Sequence, residues 1–493
     1  MTTMKFGIGQ AITRREDDRL LTGQGRFVDD LGEPGDLHLV FVRSPHAHAR
    51  VVAVDAAEAK QTAAVAAVLT GADLVADGVA SFPPNAALKN AAGGKMSTPP
   101  YCPLATDAVR FVGQPVVAVL AESRAAAEAA AALVVVDYQP LPAVASLAAA
   151  LADGAPQLWP EAPGNVAAVS KFGDEAACDA VFARAHHVTR IDVLNQRLSP
   201  VTLEPRGARA SIDAGGRLIL QASSQNPSGM QQSLAKLLGM PPEQVRVTVG
   251  DVGGGFGMKT LLHAEDVVCA HAARKLGRPV RWRATRIEEF QAASHGRDQA
   301  AEAELALDSD GRILGLRVRI TGNIGAHGHT AAAIISLMVG PKVITGVYHV
   351  PALDLRAQAV ITNTNLVGAY RGAGRPEAIF LIERLMDQAA AEMRIDPAEL
   401  RRRNLIAPDA MPYRTPMGET FDSGNFPRIL ERALAAADWA GFASRRQESA
   451  SRGRLRGHAV STFLEWTGVV HEETVRLQVE ADGRVHAFTA MQA

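Results

Sequence analysis

The stretch VRVTVGDVGGGFGMKT, residues 245–260, decides how the rest of the chain is read. Val245, Val247 and Val249 alternate as in a short strand, and Gly253, Gly254 and Gly255 then free the backbone for a sharp turn. Leu261, Leu262, Val267, Val268, Ala272 and Leu276 follow at helical spacing and Gly277 ends the run, so a helix is expected over residues 261–276. A strand, a glycine loop and a helix start aim backbone NH groups at whatever sits in the loop, and the helix dipole favours an anion or an electron-rich oxygen. A Walker-type phosphate loop needs glycine directly before Lys259 and Thr260, and a dinucleotide loop needs it at the same place, where this chain has Met258. Both patterns fail by one residue, and a tight turn without a ligand stays open on this stretch alone.

Composition narrows the classes. A chain of 493 residues has room for about two to four domains, each with its own core. Lys plus Arg total 51 against 52 for Asp plus Glu, and the formal charge of −1 gives no net electrostatic reason to expect nucleic acid or an anionic membrane as partner. Arg401, Arg402 and Arg403 form a local basic run, expected to be a solvated helix face. Cys102, Cys178 and Cys269 are odd in number and far apart, which makes neither a disulfide framework nor a metal site, and Cys269 reads as a small buried hydrophobe. No apolar signal core and no membrane-spanning run is present, so a cytoplasmic protein without membrane insertion is expected.

In chain order, residues 1 to about 35 read as an arm laid over another domain. Two strands flank a turn carrying His46 and His48, which lack further metal ligands nearby, and an Ala-rich helix is expected up to Gly71. Residues 76–108, with PP twice, read as a long surface loop. A strand, an Ala-rich helix over residues 123–132 and another strand make a β-α-β unit that closes the first domain. Beyond a connector at 146–164, strands and helices mix without strict alternation, with hairpin turns at residues 213–216 and in DSDGR. The expected class is α+β, or mixed α/β, with segments 1–145, 165–410 and an incomplete 411–493.

Four turns of Gly or Pro around a polar residue stand out: LEPRGARA (203–210), ASSQNPSGMQ (222–231), DVGGGFGMKT (251–260) and GAYRGAGRPE (368–377). In this order and spacing they resemble the molybdopterin-binding large subunit of the xanthine dehydrogenase and aldehyde oxidase family. GQAITRREDDRLLTGQGRFVDD (9–30) and residues 112–144 resemble that family's N-terminal hammerhead domain. The resemblance implies a hammerhead domain followed by the first molybdenum-cofactor domain, with the second begun but incomplete. It implies that Gln225 hydrogen-bonds an oxo ligand of molybdenum, that the backbone NH groups of Phe256 and Gly257, beside Gly255, address the metal's oxygen and the pterin, and that Arg371 lies in the loop on the other side of the metal. No protein side chain ligates the metal directly.

The implied reaction is hydroxylation of an electron-poor carbon by a molybdenum-bound hydroxide, with hydride passing to a sulfido ligand. Electrons then leave through 2Fe-2S clusters to FAD on partner subunits. The implied cofactor is molybdenum-molybdopterin in its cytosine dinucleotide form, and the partners are an iron-sulfur small subunit and a flavin medium subunit. The resemblance implies that the family's base glutamate falls beyond residue 493, and Glu465, Glu472 and Glu473 match nothing catalytic, so no residue here is assigned as catalytic. Either a separate chain supplies the C-terminal half or this is a truncated, inactive piece; activity of the isolated chain is not expected.

Gly372 stands where the carbon monoxide branch carries a copper-holding cysteine, and Thr260 and Ala373 replace the glutamate and aromatic that purine-oxidising members use. Aldehydes or N-heteroaromatics remain as substrates. Glu204, Arg206, Arg375 and Glu377 are read as loop-fixing or outer residues, and His327 and His329 as turn histidines with a funnel lining as the alternative. Two other readings compete with the hydroxylase. One is a non-catalytic scaffold without cofactor; the other is an unrelated nucleotide-binding protein using the 250–260 loop.

Overall fold

Valines at alternating positions seek a pleated, half-buried surface, and Val245–Thr248 is indeed a strand, at the edge of a seven-stranded mixed sheet. The computed structural model describes residues 11–84, 88–465 and 475–488. The strands in chain order are β1 (Leu37–Arg43), β2 (Ala49–Asp55), β3 (Val65–Thr70), β4 (Ala108–Val109), β5 (Pro115–Ala121), β6 (Val135–Pro140), β7 (Val166–Gly173) and β8 (His187–Asn195). They continue with β9 (Gly207–Ile212), β10 (Leu218–Ala222), β11 (Val245–Thr248), β12 (Val280–Arg283), β13 (Gln299–Leu307), β14 (Ile313–Asn323) and β15 (Leu353–Val360).

The large sheet runs β11-β10-β9-β12-β1-β5-β3, a second runs β7-β15-β14-β13-β8, and a third runs β4-β2-β6. β12 pairs with β1 in parallel through Leu37–Val280, so one sheet joins strands from before residue 145 to strands after it. The architecture is the expected mixed α/β. The predicted β-α-β unit is not one unit, however: β5 is a fully buried strand of the large sheet, whereas β6 belongs to the small one.

Beneath the large sheet lies helix Ala264–Leu276, closed by Gly277 at φ 63° and buried from Ala264 through Ala273. It starts three residues later than the periodicity suggests, because residues 258–260 form a short 3-10 turn first. Cys269 is wholly buried in this core, as expected.

Three further expectations fail for physical reasons. The Ala-rich helix breaks at Thr62, and VAAVLT becomes β3, because Val65, Val68 and Leu69 pair with β5 along the sheet edge and tertiary pairing outweighs alanine's propensity. The loop over residues 76–108 is not merely superficial: Phe82, Tyr101 and Leu104 are buried in the core of the large sheet. Arg401 is not solvated but fully buried, bound to Glu383 at 2.7 Å and to Asp387 at 2.9 Å.

The N-terminal arm does lie over a later segment. Arg19 grips Asp251 with two bonds of 2.5 and 2.6 Å, the Arg26 NH donates to the same carboxylate at 2.7 Å, and Asp29 meets Arg281 and Arg283. Near the other end, Arg476–Val479 and Val485–Phe488 form the predicted hairpin; Glu472 and Glu473 lie outside the described residues.

Candidate active site

Gly255 sits where no side chain fits: a Cβ there would stand 2.4 Å from Cδ and Oε1 of Gln225. Gln225 is delivered to this place by the end of β10 and by the turn before helix Pro227–Leu237, which Asn226 caps. Its Oε1 accepts the Gly257 NH at 2.8 Å, and its own NH donates to the Lys259 carbonyl at 2.8 Å. The glutamine and the glycine loop are thus one unit, and the Gly257 NH is already engaged by the protein. Among the described residues, the NH groups of Gly254, Gly255 and Phe256 donate to no protein acceptor. Phe256 adopts φ 54°, strained for a side-chain-bearing residue, and its ring is 40% exposed.

The arginine loop docks directly on this unit. The Arg371 NH donates to the Phe256 carbonyl at 2.9 Å, and a Cβ on Gly257 would meet the Ala369 carbonyl at 2.7 Å. Gly372, Ala373 and Gly374 all have positive φ, so the chain turns tightly before helix Arg375–Met393. The Arg371 side chain is exposed. Thr260 turns its hydroxyl back onto the Gly257 carbonyl at 2.6 Å, and the Ala373 NH bonds the Tyr370 carbonyl at 2.7 Å. The structure therefore brings together Gln225, Gly255, Phe256, Gly257 and Arg371 through the Gln225 side chain and the main chain of the two loops.

Sequence reading missed Arg297. It donates to the Tyr370 carbonyl at 3.1 Å and the Arg371 carbonyl at 2.8 Å, and pairs with buried Glu377, fixing the arginine loop from behind. Its φ of 64° carries no sequence signature that would have exposed it. Glu377 is thus a loop-fixing residue, while Arg375 bonds the Gly372 carbonyl and pairs with Glu465. Arg206 is buried between Glu265 and Glu289. His46 packs on Tyr138 and His48 bonds the Pro142 carbonyl, as turn histidines do.

His327 and His329 are buried, stacked against Tyr101 rather than lying in an open turn. Burial lowers the pKa of His327 well below the ordinary range and that of His329 to about 3; burial and then Arg206 take His263 to about 3. Each folded pKa lies below the unfolded one, so these groups stabilise the native state above about pH 6.5 and lose that contribution as pH falls. Between about pH 7.5 and pH 5 His263 and His329 each lose about 2 kcal/mol, and His327 loses stability in the same direction. Asp266 acts oppositely: burial raises its carboxyl to about 7, so acidification returns about 2–3 kcal/mol there. His295, taken to about 4 by burial and then by Arg197, acts in the same direction as the other histidines, so urea denaturation should show a net loss of stability over that interval, and Asp266→Asn should deepen it by about 2–3 kcal/mol. A pH-independent midpoint would contradict the burial of neutral imidazoles.

With this geometry in place, comparison with known proteins is informative. Residues 158–405 match the family described as "Molybdopterin cofactor-binding domain", and residues 22–142 match "Aldehyde oxidase and xanthine dehydrogenase, a/b hammerhead domain". The chain is 37% identical over 488 residues to the 6-hydroxypseudooxynicotine dehydrogenase complex subunit gamma of Paenarthrobacter nicotinovorans, covering 98% of this chain and 61% of that one. It is 34% identical to the nicotine 6-hydroxylase large subunit of the same organism, covering 98% and 58%. Its fold superposes on quinoline 2-oxidoreductase from Pseudomonas putida 86 with TM-score 0.89 and 34% identity, covering 98% of this chain and 62% of that one. The chain thus spans about three fifths of the relatives it matches. On these matches, the chain belongs to the molybdopterin-binding large subunits of the xanthine dehydrogenase and aldehyde oxidase family.

Proposed function

We propose that this chain is the cofactor-gripping part of a molybdenum hydroxylase whose substrate is an N-heteroaromatic compound, with aldehydes as the other candidate class. One observation carries the reading: Gln225, the 253–257 loop and the 368–374 loop meet through the Gln225–Gly257 and Arg371–Phe256 bonds. The NH groups of Gly254, Gly255 and Phe256 suit an oxo-rich, anionic group, because main-chain donors bind oxygen without titrating. The residues present fit the cofactor. Gln225, Gly255, Phe256, Gly257 and Arg371 would hold it, and molybdenum bound there would supply two-electron oxidation of a carbon centre.

The chain's own contribution is orientation. Phe256 presents an exposed ring beside the loop, suited to pack against a flat ring, while Thr260 and Ala373 put small groups where a bulkier substrate can enter. Relatives named for nicotine and quinoline, both of which contain a pyridine ring, support the heteroaromatic class. The base glutamate comes from polypeptide outside these residues, whether a separate C-terminal chain or a longer version of this one. The other proposed partners are an iron-sulfur small subunit and a flavin medium subunit, the proposed pterin form is the cytosine dinucleotide and the proposed location is the cytoplasm.

The test is turnover of the purified complex with a panel of pyridine-type heterocycles, aldehydes, xanthine and carbon monoxide, in isotopically heavy water. Heterocycle products carrying the solvent's oxygen support the reading. Turnover of xanthine or carbon monoxide alone would overturn it, and no turnover by a cofactor-free complex would favour the scaffold.

A further inference from the structure

Lys259 looks from sequence like a phosphate-loop lysine, yet it points away from the loop's open side. Its side chain is wholly buried, and Nζ donates to Glu204 Oε2 at 2.9 Å, to the Glu204 carbonyl at 2.8 Å and to Ser223 Oγ at 2.8 Å. An ammonium has three donors, and all three are used. Glu204 is equally committed: Oε2 also accepts the Gly253 NH at 2.9 Å and the Ser223 hydroxyl, and Oε1 accepts the Val28 NH at 3.2 Å. The Lys259 carbonyl in turn accepts the Gln225 NH and the Ser224 hydroxyl.

One ion pair therefore reaches the first glycine of the loop, its last turn, the main chain of Gln225 and the N-terminal arm. A buried pair whose remaining donors and acceptors are all satisfied holds geometry rigidly. Space around it is already full, since a Cβ on Gly253 would stand 2.4 Å from Glu204 Cβ.

We propose that Glu204 and Lys259 are positioning residues for the molybdopterin site: together they set the spacing between Gln225 and the glycine loop, and they tie that spacing to the docked arm at Val28. This rests on the functional reading above. Neither residue touches the cofactor; each acts through the main chain it holds.

The test uses the complete complex, comparing wild type, Lys259→Met and Leu385→Ala by hydrogen exchange of residues 222–228 and 250–258, by molybdenum and pterin content, and by urea midpoint. Leu385 is fully buried in the other core, so its truncation lowers stability without touching the loop. Lys259→Met should accelerate exchange at Gly253, Gly257 and Gln225 at least about tenfold and lower bound pterin, whereas Leu385→Ala should lower the midpoint with loop exchange unchanged. Should Lys259→Met fail to fold, Glu204→Gln gives the same readout: it keeps the volume but has one acceptor oxygen instead of two. Loop exchange that is unchanged in these variants, or that rises no more than in Leu385→Ala at equal stability, overturns the positioning role. Wild type without molybdenum overturns the functional reading instead, and the separate readouts keep the two failures apart.

Discussion

Replacing Gly255 by alanine is expected to strip the cofactor from the complex while leaving the fold standing. The added methyl would lie 2.4 Å from Cδ and 2.6 Å from Cγ of Gln225, the far part of a flexible side chain, so the side chain gives way rather than the backbone. Gln225 is then displaced from the Gly257 NH, and the two walls of the site separate. No φ penalty arises, because Gly255 is not among the glycines of positive φ. We expect stability to change by about 1 kcal/mol or less while molybdenum and pterin content falls at least about tenfold. Metal analysis and denaturation of the same preparation check both halves. Full cofactor content in Gly255→Ala would mean that Gln225 does not serve the site. Gly257→Ala is the informative contrast: at φ 93° its methyl meets the rigid Ala369 carbonyl, so there both fold and site should suffer.

The largest stability effect is expected at Arg401. The guanidinium, with no exposed surface, bonds Glu383 through two nitrogens, the Glu383 carbonyl and Asp387. Glu383, itself buried, also accepts from the Tyr348 hydroxyl and from the Thr462 NH and hydroxyl, which ties helix Arg375–Met393 to the segment around residue 462. Arg401→Met fills the volume but leaves the Glu383 carboxylate buried without its cation, and removal of one partner of such a pair costs about 3–5 kcal/mol. Pairing the change with Glu383→Gln should recover part of that loss, because the uncompensated charge is then gone. Urea denaturation of the single and double variants measures this. A loss below about 1 kcal/mol for Arg401→Met would return Arg401 to the solvated face that its sequence context suggests.

Arg401 shows where sequence reading stops. Three consecutive arginines differ in nothing but their rotation about a helix axis, and only the neighbour across the helix decides which one is buried. The glycine loop was legible because backbone geometry dictates its residue types: Gly254 and Gly257 adopt positive φ, and Gly277 ends its helix at positive φ. Both DG-type hairpins were legible for the same reason, since Asp213 and Asp308 cap their own turns. β3 was not, because alanine-rich VAAVLT satisfies a helix locally and becomes a strand only through β5. In the site, Gln225, Phe256 and Arg371 carried motif signals. Arg297 and the inward turn of Lys259 depend on contacts between segments 36 or more residues apart and left no local pattern.

These two loops and Gln225 are proposed to grip molybdopterin. The most direct test is molybdenum and pterin content per copy of this chain, in the complex purified from its native source. Stoichiometric metal and pterin, recovered together with an iron-sulfur and a flavin subunit, is the predicted result. Their absence, from cells that load other molybdenum enzymes, would contradict it and leave the loops as a fold without its ligand.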